Sequence, residues 1–303
     1  MKYIDIAFFP GCTMPGVAMG YEASSRLVFK KLGINFIDFE DFSCCAPMFV
    51  ENISPNAHLA ISARNLAIAE EKNLDIITFC SGCYSTLKKA SYEIFNKNQN
   101  FEKANAILKK LNKKFENKIK IYHGLEFIKN KIGYSEIKKN IKFHFKGLNL
   151  ASFHGCHISR PSEIVQFEDP EYPTSLDELI SLLKGNIINY EGKFDCCGGT
   201  IKNLQDNISL EILRIKLKSL KQLKADAVIL ACPFCFYQFD AGQKVIFTQF
   251  KEKYEIPILT FTDLLGLAFG LPRKNLGLQT HRVKLKKFLQ KFDEINGIEN
   301  LND

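Results

Sequence analysis

Short runs of apolar, β-branched and aromatic residues recur along the chain. Each is followed by a longer stretch in which apolar positions return every three or four residues. Ile6-Ala7-Phe8-Phe9 and Asp75-Ile76-Ile77-Thr78-Phe79 are runs of the first kind in the first half; Leu150-Ala151-Ser152-Phe153 and Ala227-Val228-Ile229-Leu230-Ala231 are their counterparts in the second. Unbroken apolar runs of this length are the profile of strands buried on both faces of a parallel sheet. Ile119–Tyr122 and Pro257–Thr260 predict one further strand in each half. Between the strands, Leu210, Leu213, Leu217 and Leu220 fall on one face of a predicted helix. The Ala- and Leu-rich stretch from Ala57 to Glu71 predicts another. Strand–helix alternation in both halves predicts an α/β fold with mostly parallel sheets.

The cysteines repeat with the strands. There are ten: Cys12, Cys44, Cys45, Cys80, Cys83, Cys156, Cys196, Cys197, Cys232 and Cys235. In the first half 31 residues separate Cys12 from Cys44, then 34 separate Cys45 from the CxxC that begins at Cys80. In the second half the gaps are 39, from Cys156 to Cys196, and again 34, from Cys197 to the CxxC at Cys232. The chain therefore reads as an internal duplication with one C…CC…CxxC set per half. The expected organisation is two pseudo-symmetric, Rossmann-like domains, residues 1–147 and 148–303, divided near Lys146-Gly147. Each cysteine group is expected just after a strand. Strand C-termini are where open α/β sheets place ligands, so five thiols per half are expected to converge on one crevice.

Composition narrows the function classes. The 303 residues are 46% hydrophobic and 24% charged, a globular mix with mass for a core. No run of eighteen apolar residues occurs, and Asp5 interrupts the short apolar run at the N-terminus, so neither a membrane span nor a signal peptide is expected. Leu264 to Leu271 reads as a core helix. The net charge is +8. Much of the positive charge is gathered between Asn96 and Lys146, including Lys109, Lys110, Lys113, Lys114, Lys118 and Lys120. That stretch reads as a solvated helical face or, more sharply, as a docking surface for an acidic partner. No nucleic-acid-binding module, G-x-G-x-x-G or P-loop follows a strand, so no nucleic acid, nucleotide or flavin site is expected.

The thiols carry the chemistry. Structural disulfides would leave one thiol per half unpaired and lack an oxidising compartment. Structural zinc takes four ligands, commonly from two CxxC knuckles, whereas each half has one knuckle, a vicinal pair and a lone Cys. Inert buried cysteines would not repeat the same spacing twice. Iron–sulfur ligation accounts for the set best, with CxxC and Cys-Cys giving two thiolates each and the lone Cys closing the site. Five thiolates exceed what one ordinary cubane uses. The ferredoxin run C-x2-C-x2-C-x3-C is absent, so electrons are expected to come from another subunit.

The double C…CC…CxxC pattern resembles that of the cysteine-rich CCG domains, and the whole chain resembles the B-type subunit of CoB–CoM heterodisulfide reductase. The likeness is strongest in Gly155-Cys156-His157-Ile158-Ser159-Arg160-Pro161, Phe167-Glu168-Asp169-Pro170, Pro173-Thr174-Ser175, Cys196-Cys197-Gly198-Gly199, Cys232-Pro233-Phe234-Cys235 and Leu264-Leu265-Gly266-Leu267-Ala268. It implies two noncubane [4Fe-4S] clusters. Cys12, Cys44, Cys45, Cys80 and Cys83 would hold one; Cys156, Cys196, Cys197, Cys232 and Cys235 would hold the other. It further implies reduction of a small disulfide, in a complex with a ferredoxin-type iron–sulfur subunit and a flavoprotein subunit. A cytoplasmic location is implied, or a peripheral one at the inner face of the membrane. Subunits of this kind also occur in fumarate reductase and succinate dehydrogenase complexes, where a quinone takes the place of the disulfide. A zinc-holding interaction scaffold is the weakest alternative. His154 and His157, with His123, are the candidate proton donors, and Arg160 a candidate for attracting an anionic substrate. The first motif departs from the pattern: it reads Cys44-Cys45-Ala46-Pro47, with Ala46 where a glycine would permit unusual backbone angles.

Overall fold

The computed structural model describes residues 3–202 and 204–298. Its strands form two four-stranded sheets of one topology. β1 (Ile4–Phe8), β2 (Ile34–Ile37), β3 (Ile76–Thr78) and β4 (Ile121–His123) lie in the order β2-β1-β3-β4. β5 (Asn149–Phe153), β6 (Asn186–Ile187), β7 (Ala227–Leu230) and β8 (Ile258–Thr260) lie in the order β6-β5-β7-β8. Every pairing is parallel, with Ala7 opposite Ile76 and Leu150 opposite Ala227 at the sheet centres. The duplicated α/β architecture expected from the sequence is present. The two further strands lie where Ile119–Tyr122 and Pro257–Thr260 predict them, shifted by a residue or two.

The principal helices are α1 (Met19–Lys31), α2 (Pro55–Glu70), α3 (Ser81–Asn96), the single turn α4 (Gly124–Phe127), α5 (Asp206–Gln222), α6 (Pro233–Phe250), α7 (Phe261–Ala268) and α8 (Lys286–Asn296). Their ends follow local chemistry. Ser54 caps α2 ahead of Pro55, which cannot donate and so suits the first helical turn. β4 and β8 both end in capping boxes, His123 with Glu126 and Thr260 with Asp263. Leu210, Leu213, Leu217 and Leu220 form the buried face of α5, and Leu264, Leu265, Leu267 and Ala268 are core.

The halves pack into one another. Phe79 stacks on Phe261 and Tyr21 meets the same ring edge-on, so an aromatic seam joins the sheets. Ser24 of α1 is 2.8 Å from the Thr262 hydroxyl of α7. Gly20 of α1 lies against Gly277 so closely that a Cβ there would be 2.6 Å from the Gly277 carbonyl. Residues 142–145 are hydrogen-bonded to the second half: Lys142 and Phe143 donate to Ala268 O, and Phe145 donates to Leu183 O.

This topology sets the site. In each sheet the chain leaves the central strand in one direction and returns on the other side. A crevice therefore opens at the carboxyl ends of β1 and β3, and likewise of β5 and β7.

Candidate metal centres

Cys12 and Cys80 stand beyond the carboxyl ends of β1 and β3; Cys156 and Cys232 stand beyond those of β5 and β7. Cys80 and Cys232 are the N-caps of α3 and α6, so each CxxC wraps the first helical turn and presents two sulfurs there; in the second half the backbone of Phe234 and Cys235 donates to Cys232. The vicinal pairs sit farther from their strands than expected. They lie on loops that leave β2 at Ile37 and β6 at Ile187 and return over the crevice. Glycines allow the close approach: a Cβ on Gly11 would lie 2.8 Å from Cys83 Sγ, and Gly11 adopts φ +65°.

The ten thiols follow one another along the crevice, each influencing the next. Cys12 interacts with Cys44, Cys44 with Cys45, Cys45 with Cys83, and Cys83 with Cys80. Cys80 then meets Cys232 of the other half, and the row continues through Cys235, Cys197 and Cys196 to Cys156. The inner sulfurs are buried; Cys12 and Cys44 are exposed, and Cys156 and Cys196 are half-buried. Among the described residues, no three His, Cys, Asp or Glu side chains are grouped as a site for a single metal ion. Five thiols spread along a crevice suit a larger group, such as a cluster of several irons, whose ligands need not meet at one atom.

Protons are unevenly shared along this row. Three thiols are held low, each between two sulfur donors. Cys45 lies between Cys44 and Cys83, and Cys232 between Cys235 and Cys80. Cys196, held by Cys156 and Cys197, falls to about 2. Their neighbours move the other way: Cys197 is pushed up to about 12 by Cys196, and Cys83 is raised by Cys45. Thiolate is the form that binds metal, and backbone donors favour it here. Gly198 N donates to Cys196 Sγ at 3.3 Å and Gly199 N to Cys197 Sγ at 3.4 Å. In the first half the backbone of Ala46 donates to Cys44.

Ala46 has φ +57°, the left-handed conformation that Gly198 adopts at +80° in the second motif. Helix α2 grips this strained loop. His58 Nδ1 bonds Ala46 O at 2.7 Å, Ser62 Oγ donates to Cys45 O at 2.8 Å and Asn65 Nδ2 donates to Cys44 O at 3.0 Å.

The chain is similar to known proteins over nearly its whole length. A family model described as the CCG cysteine-rich domain matches twice, over residues 6–88 and 150–240. The B-type subunits of ferredoxin-dependent CoB–CoM heterodisulfide reductases from Methanosarcina acetivorans and Methanosarcina mazei are each 32% identical over 294 residues, covering 96% of this chain and 98% of theirs. The chain belongs to the family of heterodisulfide reductase B-type subunits. A relative in Wolinella succinogenes, the 8-methylmenaquinol:fumarate reductase membrane anchor subunit, is 29% identical over 93% of this chain and 98% of its own. Among solved structures, a hypothetical protein from Helicobacter pylori shares the fold with a TM-score of 0.74 at 19% identity. The match covers 92% of this chain and about half (52%) of that one.

Within this member of the heterodisulfide reductase family, the histidines have separate positions. His123 is fully buried; its Nδ1 accepts from Leu125 N and its Nε2 bonds Ala231 O, the carbonyl just before Cys232, at 3.0 Å. Burial lowers it to about 4. His154 is buried, accepts from Leu176 N through Nε2 at 3.0 Å and is lowered by burial to about 3, which leaves its unpartnered Nδ1 as the protonated nitrogen. His157 is half-buried. Arg160 is exposed and bonds Pro170 O, while its own carbonyl accepts from Ser85 of the first half.

Several residues at the sites were not singled out from sequence. Tyr21 reaches Phe79 O, the carbonyl before Cys80, at 3.5 Å. Lys193 is buried on Asp177 at 2.7 Å, and Lys216 is buried facing Asp195, Cys196 and Cys197. His58, Ser62 and Asn65 had a legible signal, since polar residues at helical spacing on an Ala- and Leu-rich helix mark a polar stripe on a buried face.

Proposed function

We propose that the chain is the iron–sulfur subunit of a heterodisulfide-reductase-like complex and reduces a small disulfide of the CoM-S-S-CoB type to two thiols. The observation that carries this reading is the unbroken row of ten sulfurs, in which two matched quintets meet at Cys80 and Cys232. Cys12, Cys44, Cys45, Cys80 and Cys83 would hold one [4Fe-4S] cluster, and Cys156, Cys196, Cys197, Cys232 and Cys235 the other. Five ligands per site fit the noncubane type. Such clusters supply one-electron transfer, and two of them match the two electrons that splitting a disulfide consumes.

The chain's own residues do the rest. All ten cysteines are the ligands, and the N–H groups of Ala46, Gly198 and Gly199 orient the vicinal sulfurs. The buried inner sulfurs are shielded from water, whereas Cys12 and Cys44 leave the row open at one end. Product thiolates need protons. Of the three candidate histidines, His123 and His154 are held neutral by burial and bonded to backbone groups, so proton delivery falls to half-buried His157. A ferredoxin-type subunit and a flavoprotein would supply the electrons. The complex would lie in the cytoplasm or at the inner face of the membrane; no helix among the described residues is long and apolar enough to cross one.

The Wolinella relative favours a second reading, electron transfer between a quinol and a fumarate-reducing flavoprotein. The deciding experiment assays the purified complex against a heterodisulfide, fumarate and a quinol analogue, with metal analysis alongside. Disulfide turnover with iron present supports the first reading, and quinol-driven fumarate reduction alone supports the second. Zinc without iron rejects both.

A further inference from the structure

The second sheet carries a groove of about 590 Å³ at the end opposite its cysteines. Its walls are the residues entering β7 and β8, the outer face of α6 around Lys244 and Phe247, and the segment 282–291 that runs into α8. Seven Lys and Arg side chains border it against two acidic ones, Asp226 and Glu255, a local balance of +5 where the whole chain carries +8. Lys291 is paired with Asp226 and Lys253 with Glu255. Lys244, Arg282, Lys284, Lys286 and Lys287 have no acidic partner among the described residues.

The first half makes the contrast. Its cavity of about 430 Å³ is bordered by Lys109, Lys113, Lys114 and Lys118, the Lys-rich stretch that stood out in the sequence. That charge is largely consumed: Lys113 pairs with Glu71 at 2.9 Å, and Lys114 and Lys118 both pair with Glu116. Lys109 keeps no acidic partner among the described residues, but the larger set of unpaired cations around one groove lies in the other half, on residues distant in sequence.

Two features say what the second groove takes. Lys286 and Lys287 open α8, and its first turn holds no acidic residue. Cations there oppose the positive end of the helix, a cost that an anion lying in the groove offsets. The cations are also spread along both walls rather than gathered around a nest of backbone N–H groups, as phosphate sites are. Exposed Phe247 and half-buried Tyr254 add aromatic surface between them. A bilayer is flat and does not enter a concave groove. We infer that this groove binds an extended acidic segment of a partner protein, with carboxylates along the lysines and an apolar side chain on Phe247. The inference is independent of what the cysteines hold.

The test is titration of the full chain with a fluorescent glutamate-rich peptide containing one phenylalanine. Vesicles of zwitterionic lipid doped with phosphatidylglycerol and a single-stranded oligonucleotide are run in parallel. Saturable peptide binding is expected, weakening about tenfold or more in K284E/K286E/K287E and falling steeply with salt. Lys244→Glu, on the facing wall, should weaken it too, while K113E/K114E should leave it unchanged. Thermal melting checks that each variant is folded. The inference is overturned by absent peptide binding at low salt, by equal binding in the triple variant, or by preferential binding to the vesicles or the oligonucleotide.

Discussion

The two vicinal cysteine pairs occupy the same bent loop but reach it by different means. In the second half Gly198 takes the left-handed conformation without a side chain, and a Cβ there would sit 2.9 Å from Ser209 O. In the first half Ala46 takes it with a Cβ, at a cost of roughly 1–2 kcal/mol, and the loop is clamped by His58, Ser62 and Asn65. The second site also lies deeper, beside buried Lys193 and Lys216, while the first exposes Cys12 and Cys44. One geometric demand has thus been met once by removing the obstacle and once by bracing around it.

The largest test of that comparison removes a ligand from one side. Cys232→Ser or Cys197→Ser should abolish the second site's iron–sulfur signal and leave the first, lowering bound iron to about half. Retention of both signals would defeat the ligand assignment. Acid probes the seam between the halves next. His123 holds the carbonyl before Cys232 and also faces Phe79 O, the carbonyl before Cys80 that Tyr21 reaches. His123 falls from an ordinary value near 6.5 to about 4 on folding, so between those values the unfolded chain binds the extra proton. Stability should drop as pH falls through that window, by about 3 kcal/mol in all, and His123→Gln should flatten the drop in denaturant titrations.

Backbone changes at the loops come third. Gly198→Ala should destabilise the protein by about 2–3 kcal/mol, because it adds both strain and a clash. His58→Ala should cost about 1–2 kcal/mol by freeing the brace on Ala46. The smallest effect is the reverse swap: Ala46→Gly should stabilise by only ~0.5 kcal/mol, since relief of strain is partly offset by a freer unfolded chain. Calorimetry on the three variants gives the ranking, and equal penalties for Gly198→Ala and Ala46→Gly would show that the two loops are not held differently.

Much of this was legible in the chain itself. Apolar runs marked the strands because parallel strands are buried on both faces, and the repeated cysteine gaps marked the duplication. Ala46 was visible as a departure, but not its brace, which needs α2 folded back across the loop. The Lys-rich stretch attracted notice by local density, yet Lys113 is paired with Glu71 and Lys114 and Lys118 with Glu116, while Glu70 accepts from the backbone of the same loop. The unpaired cations of 244–287 escaped notice because only the fold assembles them. Likewise, no spacing rule indicates that His123 of one half would serve the Cys232 loop of the other.

The meeting of Cys80 and Cys232 has a historical consequence. A doubled gene whose copies touch only through a linker can later shed or exchange one of them. Here the middle of the sulfur row belongs to both copies, because a buried sulfur of each faces a buried sulfur of the other. Drift on one side of the seam is answerable to the other, so the twins are bound to evolve as a single unit.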